Sequence, residues 1–159
     1  MKFETIKNEI NRSTKYKSLL NEYHHGLTRY EHIMHVALGT YYISKILRLD
    51  YISATRGALL HDYFNEEEYL DKKWLDMPRI HPFLALNNSL KEHDLNLKEK
   101  NIIISHMYPI GLIKPICPES WIVTLVDKIV ATYEYINYKF KDKFALYIIF
   151  VLNFISVKI

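Results

Sequence analysis

Glycine and proline are scarce in this chain of 159 residues, at 4 and 5 copies. A many-stranded sheet would need far more turn chemistry, so helices are expected to dominate. Cysteine is nearly absent. The single Cys117 cannot form an intramolecular disulfide. It lies between Pro115 and Pro118 with nothing nearby to activate a thiol, so it reads as a packing residue. No apolar run reaches the roughly 20 residues a membrane-spanning helix requires. The opening MKFETIKNEI also lacks the apolar core of a secretory signal. The expectation is a reducing cytoplasm with no membrane contact. Dense basic runs are missing too: the net charge is only +3 and the lysines are dispersed, so no nucleic-acid partner is expected.

What remains is the composition of an ordinary soluble domain, 49% hydrophobic and 25% charged. The length fits one domain, residues 1–159, large enough to bury a core without disulfides. Self-association into a homo-oligomer is left open. Histidine is the conspicuous exception, with 8 copies. Imidazole is the commonest metal ligand and titrates near neutrality, so histidine positions guide the reading.

Along the chain, Phe3 to Tyr23 carries a moderate helical pattern that a turn at His24-His25-Gly26 would end. Thr28 stands three residues before Glu31 in capping-box spacing, and the apolar positions from Tyr30 to about Leu49 predict a helix. Another helix is expected from about Ile52 to His61-Asp62, followed by the acidic segment 65–68. Residues 70–82 read as a loop or short helical turns, and a short helix is expected after Pro82. Asn96 opens a helix that runs to His106. Pro109, Pro115 and Pro118 mark a connection, and Pro118-Glu119-Ser120 leads into a helix from Trp121 to about Tyr138. The segment FALYIIFVLNFISV, residues 144–157, is favoured as a buried terminal helix over a tail that touches a membrane or a partner, although its β-branched and aromatic content also suits a strand.

Three places carry chemistry. Asp127 sits in WIVTLVDKIVA on or beside the face that packs inward, where an ionised carboxylate is costly without compensation. Lys128 is its nearest cation in sequence, but adjacent helical residues project about 100° apart. An arginine partner or a helix-capping role would be the ordinary explanation. The pair His61-Asp62 follows the apolar Ala58-Leu59-Leu60 and offers an imidazole and a carboxylate, both metal ligands. His32 lies in RYEHIMHVA, with Arg29 one turn before and His35 one turn after. That face could combine a ligand with a guanidinium for phosphate oxygens, while His35 by itself is an ordinary surface or core histidine.

In order, His32 in YEHIMHVA, His61-Asp62 in ALLHD and Asp127 in LVDKIVATYE resemble the HD superfamily of metal-dependent phosphohydrolases. The resemblance covers about residues 25–135. It implies an all-α, single-domain helical bundle around a buried metal centre, with a small phosphorylated substrate. It further implies that His81 (RIHPF) and His106 (IIISHM) match the extra histidines of members that bind two metals, with Asp62 bridging the ions. One or two divalent ions, Fe, Mn, Zn, Co or Ni, would suit such ligands.

By the same resemblance, Asp62 and Arg29 would serve catalysis, and Arg29, His25 and Lys128 would contact substrate. The cyclic-dinucleotide branch commonly reads His-Asp-Ile-Gly-Lys, whereas this chain reads His61-Asp62-Tyr63-Phe64-Asn65, which argues against that activity. Glu66 shares a helical face with Asp62 if the helix continues, and would be the water-activating acid of nucleotidase-like members; its ordinary reading is a solvated charge run. A di-iron oxygenase and a catalytically silent nucleotide- or metal-binding module are the competing functions.

Overall fold

A computed structural model describes residues 1–12, 16, 18, 19, 23, 24, 27–68 and 73–156, and at 23, 24, 27, 66, 74 and 141–156 it describes the backbone alone. The fold is all-α, as expected. Among the described residues six α-helices run Phe3–Ile10 (α1), Arg29–Ile46 (α2), Tyr51–Leu60 (α3), Met77–Glu92 (α4), Leu97–Ser105 (α5) and Pro118–Ser156 (α6). The other paired element is a two-residue antiparallel ladder, Tyr23–His24 (β1) with Leu27–Thr28 (β2).

Local chemistry explains the helix starts. Thr28 accepts a hydrogen bond from Glu31 N while the Glu31 carboxylate accepts from Thr28 N, a complete capping box at α2. Asn96 and Glu99 repeat the device at α5. Asp50 caps α3 through Ser53 N.

α3 is the central element, packing against α1, α2, α4, α5 and α6. Its buried residues Ala54, Thr55, Gly57 and Ala58 are small, so neighbouring helices approach closely. Gly57 is pressed so tightly that an added Cβ would fall 2.7 Å from Ile102 Cγ2 on α5. Around α3 the core gathers Ile6 and Ile10 of α1, Ile33 and Val36 of α2, Ile102 and Ile103 of α5 and Val123 of α6. Tyr16 is buried among them and donates its hydroxyl to Leu59 O at 2.7 Å.

Three boundaries differ from the expectation. α1 stops at Ile10, before Asn11 and Arg12, and Tyr23 is in the two-residue ladder instead of a helix. Asn11, Ser13 and Thr14 follow, residues whose side chains compete for backbone hydrogen bonds and weaken helix propagation. α4 begins at Met77, with Pro78 in its first turn, and continues through Pro82, so His81 stands inside a helix and not ahead of one. α6 runs unbroken from Pro118 to Ser156, joining two segments expected to be separate, and 144–156 is helix and not strand. Every residue from Tyr135 to Phe140 is exposed. The expected burial of 144–157 lies outside the described side chains. No helix among the described residues is long and apolar enough to cross a membrane.

Candidate metal centre

Five elements meet where the ligands collect. His32 comes from α2, His61 and Asp62 from the end of α3, His81 from α4, His106 from the end of α5 and Asp127 from α6. Among the described residues two groups bring their ligand atoms within 4.8 Å of one another: His32, His61 and Asp127, and His61, Asp62 and His106. His32, His61, His106 and Asp127 are buried, and Asp62 nearly so.

Hydrogen bonds set the direction of each imidazole. His61 Nδ1 faces Ala58 O at 2.7 Å, His106 Nδ1 faces Ile103 O at 2.8 Å and His81 Nδ1 faces Met77 O at 2.7 Å. A carbonyl only accepts, so each Nδ1 carries a proton, which leaves Nε2 as the ring atom turned to the centre. That is the orientation of a metal-ligating histidine. His81 Nε2 and His106 Nε2 lie 2.8 Å apart. Two lone pairs at that distance repel unless a cation or shared proton lies between them. Two imidazoles bound at about 2.1 Å and at right angles to one ion would be separated by about 3 Å.

The carboxylates complete the set. Asp62 Oδ1 is 3.3 Å from His81 Nε2 and 3.5 Å from His106 Nε2, whereas Asp62 Oδ2 faces Arg29 Nη1 at 3.9 Å. Asp127 Oδ1 is 3.1 Å from His32 Nε2 and 3.6 Å from His61 Nε2. Two buried polar atoms, His61 Nε2 and Asp62 Oδ1, make no hydrogen bond at all. Such orphans are expensive in a protein interior unless something else is bound there. A divalent ion fits them: the atoms are lone-pair donors, they converge, and the acids supply countercharge. The buried histidines and aspartates could therefore hold a metal ion.

Electrostatics point the same way. For Asp62, burial opposes ionisation, but the nearby His61, His81 and His106 outweigh it and hold the carboxyl well below its usual range. Asp127 is held down too, against burial, by its hydrogen bond with His32 and by the nearby His61 and His106. Burial lowers His81 to about 4. His32 goes the other way: burial lowers it, yet the bonds to Asp127 and Glu134 raise it to about 10. The cluster thus combines ionised acids and a neutral His81, groups that can donate to a cation, with a His32 that holds a proton between two acids.

Beside the ligands lies a cavity of about 500 Å³. Arg29 lines it, buried at the start of α2, with its guanidinium carbon 3.9 Å above the Phe64 ring, and Phe64 in turn stacks on His81. The remaining wall is largely apolar, from Met77, Pro78, Met107, Ile110 and Ala131. Lys128 also lines it. Its Nζ donates to His106 O at 2.8 Å and stands 3.8 Å from Asp127 Oδ2, so this flexible side chain does come near its sequence neighbour, contrary to the expectation from helix geometry. Among the described residues the short charged contacts of Asp127 are His32, His61 and Lys128, not an arginine.

The structure therefore gathers Arg29, His32, His61, Asp62, His81, His106, Asp127 and Lys128 at one place. His25 and the Glu66 side chain lie outside the described residues. The acidic segment is not simply solvated, because Glu68 accepts from Asn65 N at 2.9 Å and from Asn88 Nδ2 at 2.7 Å. Glu134 was missed. It is buried on α6, and its carboxylate accepts from His32 Nδ1 and from His35 Nδ1, both at 2.8 Å. The available signal was its position seven residues after Asp127, two turns along the same helix face.

No family model, curated protein or solved structure matches this chain.

Proposed function

We propose that the chain is a metal-dependent phosphohydrolase of the HD type, acting on a nucleotide or a related small phosphorylated metabolite. The observation that carries this reading is the pair of buried atoms without a hydrogen bond, His61 Nε2 and Asp62 Oδ1, with Asp62 on the wall of a cavity that a buried arginine also lines. His32, His61 and Asp127 would hold one ion, and Asp62 with His81 and His106 a second. Iron, manganese, zinc, cobalt or nickel suits imidazole and carboxylate together. A divalent ion held there would bring the pKa of its bound water toward neutrality and polarise a phosphoryl oxygen.

The chain's own residues do the rest. Arg29 lies over Phe64 and faces Asp62, and a guanidinium at this place on the cavity wall suits the oxygens of a phosphate. Lys128 adds positive charge on the same side while its bond to His106 O helps fix that ligand. Phe64, Met77 and Ile110 exclude water from the reacting end and leave room for an organic leaving group.

The test is metal analysis of the purified protein, followed by a screen of phosphomonoesters, nucleotides and phosphodiesters with each divalent ion. Turnover together with near-stoichiometric metal is expected, and Asp62→Ala should lose both. Iron retention with dioxygen consumption and no phosphate release would turn the reading toward an oxygenase. Tight nucleotide binding without product over hours would turn it toward a binding module. Full turnover in Asp62→Ala would end it.

A further inference from the structure

Glu134 does not itself line the cavity, yet it is buried to 7% exposure on a helix whose next six residues are all exposed. A carboxylate in that position is there at a cost unless its partners compensate. Its two oxygens are divided: Oε2 accepts from His32 Nδ1 and Oε1 from His35 Nδ1, each at 2.8 Å. His35 is one turn from His32 on α2, and its side chain is 54% exposed. The arrangement is a chain from solvent to the ligand cluster: His35, Glu134, His32 and then Asp127 at 3.1 Å.

His32 differs from the other three imidazoles in one respect. His61, His81 and His106 orient themselves on backbone carbonyls of their own helices, so their geometry is settled locally. His32 has an anionic side chain on another helix in that role. A carboxylate accepting the Nδ1 proton fixes the tautomer, pins the ring and makes the opposite nitrogen a better donor than a carbonyl does. His35 holds the second oxygen, which leaves the carboxylate little freedom to rotate away.

We propose that Glu134 is a positioning residue for the metal centre: acting through His32 Nδ1, it sets the affinity of the His32, His61 and Asp127 group for its ion, with His35 as the outer anchor. This rests on the metal reading given above. It also makes that group tunable from the protein surface, through a residue that never meets substrate.

The experiment compares wild type, Glu134→Gln, Glu134→Ala and His35→Ala, loading chelator-treated full-length protein with Co²⁺ and following binding by its visible absorption and by calorimetry. Helical content by circular dichroism checks that each variant is folded. Glu134→Ala should weaken Co²⁺ binding roughly 10–100-fold. Glu134→Gln keeps an acceptor but loses the charge, so it should fall between Ala and wild type, and His35→Ala should show a smaller loss in the same direction. The ring ¹⁵N resonances of His32 should report a protonated Nδ1 in loaded wild type and a mixture of tautomers in Glu134→Ala. A folded Glu134→Ala with wild-type affinity and an unchanged His32 tautomer overturns the proposal while leaving the metal reading intact. Wild type that binds no Co²⁺ overturns both.

Discussion

Gly57→Ala adds one methyl group at the close crossing of α3 and α5. The new Cβ would sit 2.7, 2.8 and 2.9 Å from Cγ2, Cβ and Cδ1 of Ile102. The nearest of these atoms belong to a β-branched side chain with essentially one comfortable rotamer in a helix, so the contact cannot be relieved by swinging a flexible tip aside. Overpacking a core site costs about 1–3 kcal/mol, and three contacts this deep belong at the upper end. Alanine returns about 1 kcal/mol through its better helix propensity. The net loss is then about 2 kcal/mol, or a melting temperature lower by roughly 4–8 °C for a chain of this size.

The same wedge should reach the ligands. His61 follows Gly57 by one turn and His106 follows Ile102 by one turn, and the two imidazole centroids are 4.9 Å apart. Prying α3 from α5 moves both rings, so metal affinity should drop along with stability. Urea unfolding of chelator-treated protein gives the first quantity and metal titration the second. Gly39→Ala is the internal comparison: its added Cβ meets only Val126 Cγ1, at 3.1 Å. That substitution should fall within about 1 kcal/mol of neutral because a single methyl contact is offset by helix propensity. Equal effects at the two glycines, or a Gly57→Ala protein as stable and as metal-avid as its parent, would refute the reasoning.

Three further outcomes are expected. Glu119 Oε1 accepts from Lys98 Nζ at 3.0 Å and from Asp50 N at 3.1 Å; burial works to raise its pKa, but these bonds outweigh it and hold the group below its ordinary 4.5. Its contribution is therefore present above that ordinary value and lost as pH falls through the depressed one. Glu119→Gln should cost about 1 kcal/mol at pH 7 and flatten the acid limb of a stability-against-pH curve, and an unaltered acid limb contradicts this. Arg29→Lys keeps the charge but loses the flat contact with Phe64 and the forked donors, so phosphoester turnover should fall at least about tenfold with metal content retained; equal kcat/KM would remove Arg29 from the site. Asn101 Oδ1 accepts from Ile116 N at 3.0 Å and Ser120 Oγ at 2.6 Å, tying the 106–117 connection to α5. Asn101→Ala should destabilise by about 1–3 kcal/mol in urea unfolding, since it strands buried donors, and a shift below a few tenths would mean water replaces the amide without loss.

What could be read from the amino-acid order was whatever local chemistry decides. Thr28 with Glu31 and Asn96 with Glu99 announce helix starts because both halves of each capping box lie within one turn. The types of the convergent side chains were also legible, since imidazoles and carboxylates among apolar helical residues stand out. Extents governed by context were not. Proline normally ends a helix, yet Pro82 lies within α4, where its ring is buried and Ala85, Asn88 and Ser89 anchor the same helix. The polar stretch Asn137-Tyr138-Lys139 looks like a place to stop, and α6 passes through it because nothing there forbids helical dihedrals. Glu134 escaped notice because its partner lies 102 residues earlier, and no spacing rule along one helix reveals a pairing between two.

Two of the candidate ligands, His61 and His106, occupy the residue immediately after a helix ends, and each borrows a carbonyl from the final turn of its own helix. Those carbonyls have no partner further along the helix, so orienting the rings sacrifices no backbone bond. It also means that the electronegative poles of α3 and α5 both aim into the same small volume. An anion entering the metal-free cavity would face those two poles and two ionised aspartates alongside Arg29 and Lys128. On the metal reading proposed above, a phosphorylated compound should therefore associate more tightly once a cation has settled, and where two helices stop would bear on the order of loading.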